Sequence, residues 1–238
     1  VDFSYVSGEQ VLYEINLDVK PGEKIAIVGS TGAGKSTIIN LLSRFYENDT
    51  GMITIDNISI KDFSIQSLRK HVGVILQDVF LFADTIYNNI VLFNTDVKKE
   101  DVYDAAKQIG VHEFISSLPG GYQYNVKERG VMLSSGQRQL IAFLRVYLSN
   151  PSILVLDEAT SSIDSYSEEL IQKAIKKITE EKTAIVIAHR LSTIKNSDRI
   201  VVMDKGRVVE VGKHDELVTI KGGYYSQLYQ IQFLQEAV

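Results

Sequence analysis

Hydrophobic and polar residues change their rhythm several times along this chain. Residues 1–20 alternate in two stretches, VDFSYV and VLYEINLDV, with the turn-forming SGEQ between them, which predicts an antiparallel hairpin. GMITIDNISI, residues 51–60, alternates in the same way and is expected to join that sheet. KIAIVG, ILVLD, TAIVIA and IVVMD break the alternation, each a short continuous apolar run of the kind that forms a parallel strand buried on both faces. Between these runs the period lengthens. STIINLLSRF and SEELIQKAIKKI read as helices, the second placing Leu170, Ile171, Ala174, Ile175 and Ile178 along one stripe. In EDVYDAAKQIG, Val102, Ala105, Ala106 and Ile109 share helical spacing, and Gly110 is placed to end the helix. The expected organisation is a single α/β domain: a β subdomain over 1–23 and 51–62, a parallel-sheet core over 24–50, 63–78 and 149–238, and a helical lobe over 79–148.

Composition narrows the partners. With 45% hydrophobic and 23% charged residues over 238 positions, the chain has enough apolar material for one large domain or a core plus a lobe. The net charge is −5, and the densest cationic stretch, KAIKKI, alternates with apolar residues as a helix face does, which argues against nucleic acid as a partner. Cysteine is absent, so disulfides and thiolate metal sites are excluded, a composition that fits a reducing compartment. No run of about 18 apolar residues spans a bilayer and no signal peptide shows. The abrupt start on the strand-like VDFSYV suggests a domain cut from something longer.

The chemistry concentrates at strand ends. GSTGAGKST, residues 29–37, matches G-x-x-x-x-G-K-[ST] between a buried strand and a helix, the context that a phosphate loop requires. Gly29, Gly32 and Gly34 let the backbone curl so that its amides converge on phosphates, with Thr31 and Ala33 completing the loop. Lys35 supplies a point charge, Ser36 a hydroxyl able to ligate Mg²⁺, and Thr37 follows on the helix. This loop places the core among the P-loop NTPases, of RecA-like type. In ILVLDEATSSID a buried strand ends in Asp157 and Glu158, where open α/β sheets bind their ligands; Asp157 is placed to hold Mg²⁺ in the Walker B role, and Glu158 to orient or deprotonate an attacking water. Alone, the pair also reads as exposed strand-end acids. His189 follows TAIVIA and would reach the same edge, near a γ-phosphate or water, whereas His71, His112 and His214 read as structural or surface residues. Gln77 ends GVIL as a polar group able to reach Mg²⁺ or water, and equally reads as a loop residue.

LSSGQRQL, residues 133–140, is a second anion seat at a helix start, one more than a single nucleotide needs. The order of GSTGAGKST, ILQD, LSSGQRQL, LVLDEATSSID and IAHRLST resembles the ATP-binding cassette family over essentially the whole chain. The resemblance implies ATP and Mg²⁺ as ligands, and a head-to-tail dimer in which Ser134, Ser135, Gly136 and Gln137 close over ATP held by the other cassette's phosphate loop. ATP then acts as the ligand that distinguishes a closed from an open dimer. It further implies that Tyr5 stacks on adenine, although Val1, Phe3 and Tyr5 also alternate onto one strand face as core residues would. Asp164 is similar to the residue that links the two sites across the dimer. Glu128 in KERG and the stretch QDVFLFADTIYNNI resemble segments of exporter-type cassettes that receive helices of a transmembrane domain.

The expected function is therefore the ATP-hydrolysing domain of a membrane exporter, at the cytoplasmic face of its membrane. The alternatives are a soluble cassette ATPase of DNA repair or chromosome maintenance, whose inserted heptad coiled coil is missing here, and an importer subunit, against which KERG and TIYNNI argue. An ordinary P-loop kinase would have no use for the LSSGQ segment. Three departures from the family pattern stand out. Ser135 replaces the first Gly of L-S-G-G-Q, FLRVYL replaces an Ala-rich stretch, and Lys127 stands where Gly is common. The own nucleotide motifs are intact and the signature is not, which favours a heterodimer over a homodimer.

Overall fold

The computed structural model describes residues 1–92, 94, 96–158 and 164–232, so that 159–163, within LVLDEATSSID, lie outside the described residues. The chain forms two compact units, one from the described residues of 1–72, 153–158 and 182 onward, the other from those of 73–152 and 159–181. In chain order the first unit starts with strands Phe3–Val6 (β1), Glu9–Leu12 (β2) and Lys24–Gly29 (β3) and helix Lys35–Leu42 (α1). The short strands Thr54–Ile55 (β4) and Ile58–Ser59 (β5) and helix Ile65–His71 (α2) follow. Strand Val72–Ile75 (β6) leads into the second unit, with helices Ile86–Val91 (α3), Lys99–Gln108 (α4), His112–Ser117 (α5) and Ser135–Ser149 (α6). Strand Ile153–Asp157 (β7) belongs to the first unit and helix Ser165–Ile178 (α7) to the second. The first unit then resumes with Thr183–Ile187 (β8), Leu191–Lys195 (α8), Arg199–Asp204 (β9), Arg207–Gly212 (β10), His214–Leu217 (α9) and Tyr224–Gln232 (α10).

In the first unit the sheet runs β10-β9-β3-β8-β7. β3 is parallel to β8 and β9, and β7 is parallel to β8. The four continuous apolar runs are these four strands, with Ile25, Ala26 and Ile27, Leu154 and Val155, and Ile200 to Val202 all buried. Burial on both faces removes any call for polar alternation. β10 is antiparallel to β9 across the Lys205-Gly206 turn, where both φ angles are positive.

The N-terminal hairpin is present but shorter than its hydrophobic alternation: β1 and β2 pair antiparallel, and β2 ends at Leu12. GMITIDNISI does not join it. Asp56 and Asn57 adopt φ of 50° and 66°, folding the segment into its own β4–β5 hairpin. Short polar side chains tolerate the left-handed region that such a turn demands, so this turn interrupts what alternation alone reads as one strand.

The second unit is built on helices. Val102, Ala105, Ala106 and Ile109 are buried, and Gly110, at φ 81°, ends α4. In α7, Leu170, Ile171, Ala174 and Ile178 are buried while Ile175 is half-buried. Arg145 of α6 is half-buried and donates to the carbonyls of Phe80 (3.0 Å) and Asn89 (2.5 Å) and to Asn89 Oδ1 (2.9 Å). Burial lowers its pKa to about 10, which leaves the guanidinium charged as it ties 80–89 to α6.

Lys127 adopts φ 60° and ψ −174°, and Arg129 φ 52°, before Gly130 at φ 68°. A side chain at Lys127 strains the backbone by ~1–3 kcal/mol, while glycine costs ~0.4–1 kcal/mol in unfolded-state entropy. Lys127→Gly is expected to stabilise the chain by about 1 kcal/mol, read as a higher urea midpoint with an unchanged m-value. A lower midpoint contradicts this account of the loop.

Candidate functional site

The site grows from strand register. Ile27 of β3 and Asp157 of β7 both pair with Ile187 of β8, so β7 and β8 end level and β3 runs two residues further, to Gly29. The ladder continues one step further: Glu158 N–H donates to Ile187 O (3.1 Å) and Ala188 N–H to Ile27 O (3.1 Å). Gly29, Glu158 and His189 are the residues that emerge at this edge.

From β3 the chain turns back on itself through residues 30–34 into α1. Two glycines are required here, Gly29 by backbone contact and Gly34 by its left-handed φ. A Cβ on Gly29 would lie 2.2 Å from the Met203 carbonyl oxygen, and one on Gly34, at φ 95°, would lie 2.7 Å from Leu12 Cδ2. Lys35, 7% exposed, donates through Nζ to the carbonyls of Gly29 (2.8 Å) and Ser30 (2.9 Å). Its ammonium thus holds the curl from inside and keeps one of three N–H donors unspent. Burial lowers the Lys35 pKa, opposed by the Asp157 charge. Thr31 and Gly32 are exposed on the loop, Ala33 and Thr37 are buried, and Ser36 is exposed at the start of the helix.

Ser36 Oγ donates to Asp157 Oδ2 at 3.2 Å, bringing a hydroxyl and a carboxylate oxygen from two elements together. Mg²⁺ at phosphate sites takes one or two protein oxygens and completes its octahedron with phosphate and water. This hard oxygen pair beside a phosphate loop fits that ion.

Glu158 is 6% exposed. Its Oε2 accepts from the backbone N–H of His189 (3.1 Å) and Arg190 (3.2 Å), and its Oε1 accepts from Thr193 Oγ1 (2.9 Å), with Arg190 Nε 3.5 Å away. Burial pushes its pKa above the ordinary glutamate value; the Thr193 hydroxyl, the two backbone N–H groups and the Arg190 charge all oppose this, and burial wins. His189 is half-buried, and burial followed by the Lys35 charge lowers its pKa, so its ring is neutral at pH 7. The segment that carries His189 is therefore the one that grips Glu158. Sequence reasoning missed Arg190 and Thr193; the signal was the polar character of IAHRLST just beyond a strand end.

Tyr5 lies on β1 of the first unit, 43% exposed, and the remaining candidates lie in the second unit. Gln77 is exposed two residues beyond β6. Ser134 is the N-cap of α6, accepting from Gln137 N–H (3.2 Å), while Gln137 Oε1 accepts from Ser134 N–H (3.0 Å). This reciprocal capping box shapes the LSSGQ turn. Ser135 occupies the first helical position without a positive φ, half-buried, and Gly136 is buried. Asp164 caps α7 by accepting from Ser167 N–H (2.8 Å), which lowers its pKa, and Glu128 is exposed. Of the other histidines, His112 bonds Tyr122 (3.0 Å), His214 bonds Tyr225 (2.7 Å), and His71 is exposed.

Comparison with known proteins places these features in context. The family profile described as ABC transporter matches residues 12–161. The putative multidrug export ATP-binding/permease protein YgaD of Bacillus subtilis (strain 168) is 47% identical over 235 residues, covering 98% of this chain and 40% of that protein. A protein of the same description from Staphylococcus aureus (strain NCTC 8325 / PS 47) is 48% identical over 235 residues, with 98% and 40% covered. The structure of a bacterial Atm1-family ABC exporter with ATP bound superposes with a TM-score of 0.90 at 41% identity, covering 98% of this chain and 41% of that one. The chain spans about two-fifths of the length of these relatives.

The raised pKa of Glu158 fixes a sign. Its carboxyl binds a proton more readily folded than unfolded, so the folded state loses stability as pH rises from the ordinary glutamate value of 4.5 through the raised one. A glutamine is neutral, accepts from the two backbone N–H groups and donates to Thr193 Oγ1. Glu158→Gln is therefore expected to raise the melting temperature at pH 7 to 8, with the gain shrinking as pH falls towards 4.5. A gain that grows on acidification contradicts the assignment of burial as the dominant effect.

Proposed function

The chain belongs to the ABC transporter family, and from that premise we propose that it is the ATP-binding and ATP-hydrolysing domain of a membrane exporter, working on the cytoplasmic face. The observation that carries the reading is the meeting of Ser36 and Asp157 at 3.2 Å beside a buried Glu158, at the edge where the phosphate loop opens. The export function is supported by the names of the relatives, two of them putative multidrug export ATP-binding/permease proteins and one an Atm1-family exporter. These names favour an exporter over a soluble DNA-directed cassette.

In this reading Gly29 to Thr37 bind the phosphates and Tyr5 the base. Ser36 and Asp157, with Gln77 as a further candidate, would hold Mg²⁺, which would supply positive charge against the phosphates. Glu158 orients a water and takes its proton as the water oxygen bonds to the γ-phosphorus and the bond to the ADP oxygen breaks. His189 hydrogen-bonds the γ-phosphate. Divided at the boundaries expected above, the β subdomain comprises two separate hairpins, and the helical subdomain receives transmembrane helices near 77–90 and Glu128. A second cassette contributes its signature across the dimer, as Ser134 to Gln137 do for that cassette's ATP, with Asp164 linking the sites.

Hydrolysis and binding separate by mutation. Glu158→Gln is expected to keep ATP affinity and lower turnover by about 10²-fold or more, and Lys35→Ala to lose binding. Turnover within about threefold of wild type in Glu158→Gln, well short of a lost general base, refutes the catalytic assignment.

The partner is proposed to be a different cassette. Ser135 adds a Cβ and a hydroxyl at an ordinary helical φ, so its effect falls on approach to the partner's phosphate and not on the backbone. In a heterodimer that effect is confined to the site built on the partner's phosphate loop. Glu158→Gln in this chain alone is then expected to nearly abolish ATPase activity of the full-length transporter, and Ser135→Gly to change it little. A fully active homodimer contradicts the proposal.

A further inference from the structure

Phe3 and Tyr5 point from the same strand, and they meet different surroundings. Phe3 is 2% exposed and belongs to the core, whereas Tyr5 is 43% exposed. The β1–β2 register is irregular on both sides of Ser4, and Tyr5 has no regular ladder partner. Its ring packs edge to face against Phe3 (4.7 Å, 85°) and Tyr46 (4.9 Å, 88°). A half-exposed ring on an irregular edge strand has little else in β1 to set its angle.

Its hydroxyl, however, is held at both ends. Asn40 Nδ2 donates to the Tyr5 oxygen at 2.8 Å, and the Tyr5 hydroxyl donates to Thr37 Oγ1 at 3.2 Å. Thr37 and Asn40 stand three residues apart on one face of α1, the helix that begins at Lys35. An amide nitrogen only donates, so the Tyr5 proton is directed to Thr37 and the three groups are ordered in one sense. A core tyrosine would bury its ring, and a surface tyrosine would leave its hydroxyl to water. This residue exposes the ring and secures the hydroxyl to the phosphate-loop helix.

We propose that Asn40 is a positioning residue for the base-binding face of Tyr5: through the Tyr5 hydroxyl, it and Thr37 set the ring in register with the phosphate loop for a purine nucleotide. The inference rests on the nucleotide reading above and adds a residue to it. It also departs from stacking alone, under which Tyr5→Phe, keeping the π face, would be silent.

The test is isothermal titration of the intact chain with Mg-ADP and, separately, with Mg-tripolyphosphate, which has phosphates and no base. Tyr5→Ala is expected to weaken ADP by about five- to 150-fold. Tyr5→Phe and Asn40→Ala each weaken it by about three- to tenfold, the size of one lost hydrogen bond. The Tyr5→Phe/Asn40→Ala pair falls within about twofold of the weaker-binding single, because both remove the same link. Tripolyphosphate affinity stays within about twofold throughout, which a merely structural role in fastening the hairpin to α1 would not preserve. Loss in Tyr5→Ala with Tyr5→Phe and Asn40→Ala unchanged overturns the positioning role and leaves stacking intact. Equal loss for ADP and tripolyphosphate in Asn40→Ala also overturns it, since Asn40 then acts on the helix. An unaltered ADP affinity in folded Tyr5→Ala overturns the stacking reading, and this inference with it.

Discussion

Parallel pairing of β3 and β7 on either side of β8 is the constraint on which the chemistry of the first unit depends. Because Ile27, Asp157 and Ile187 lie level in the ladder, three segments remote in sequence deliver their next residues to one edge. A shift of one residue in either pairing would turn every side chain of that strand to the opposite face and separate Asp157 from Ser36. Almost unbroken apolar strands hold the register, since neither face of the sheet can accept a polar residue without loss of burial.

Charge is concentrated at that edge under partial burial. Lys35 is stabilised by two loop carbonyls, Glu158 by three N–H or O–H donors, and the pKa directions of Lys35, Glu158 and His189 all bear the mark of desolvation first. Low local polarisability strengthens every interaction with an incoming anion, and it also penalises any charge left without a partner. The hydrogen bonds from 189, 190 and 193 to Glu158 make that carboxylate and the histidine parts of one local assembly. Movement of that segment would carry both.

The second unit solves its own local problems with the same residues that the family resemblance selects. Ser134 and Gln137 satisfy orphan helix amides through the capping box, and Asp164 does so for α7. A helix start capped in this way has two of its orphan amides satisfied and its turn held in one geometry. The same economy appears in Arg145, whose guanidinium fills hydrogen-bonding needs of the 80–89 segment from within the helix that starts at the signature.

Sequence alone determined the elements whose pattern is local and strong. Four buried strands follow from uninterrupted apolar runs, the phosphate loop from glycines at fixed spacing before Lys35, and α4 and α7 from apolar residues at helical period. Asp157 and Glu158 were legible because the strand ends on them. Tertiary structure decided whatever depended on partners distant in sequence. It set Glu158 within hydrogen-bonding reach of Thr193, 35 residues on, placed Tyr5 against Asn40, also 35 residues on, and separated the 51–60 hairpin from the N-terminal one. A hydrogen bond between remote residues leaves no periodic trace in the chain, and a two-residue turn of Asp56 and Asn57 outweighs the alternation around it because backbone sterics act before packing does.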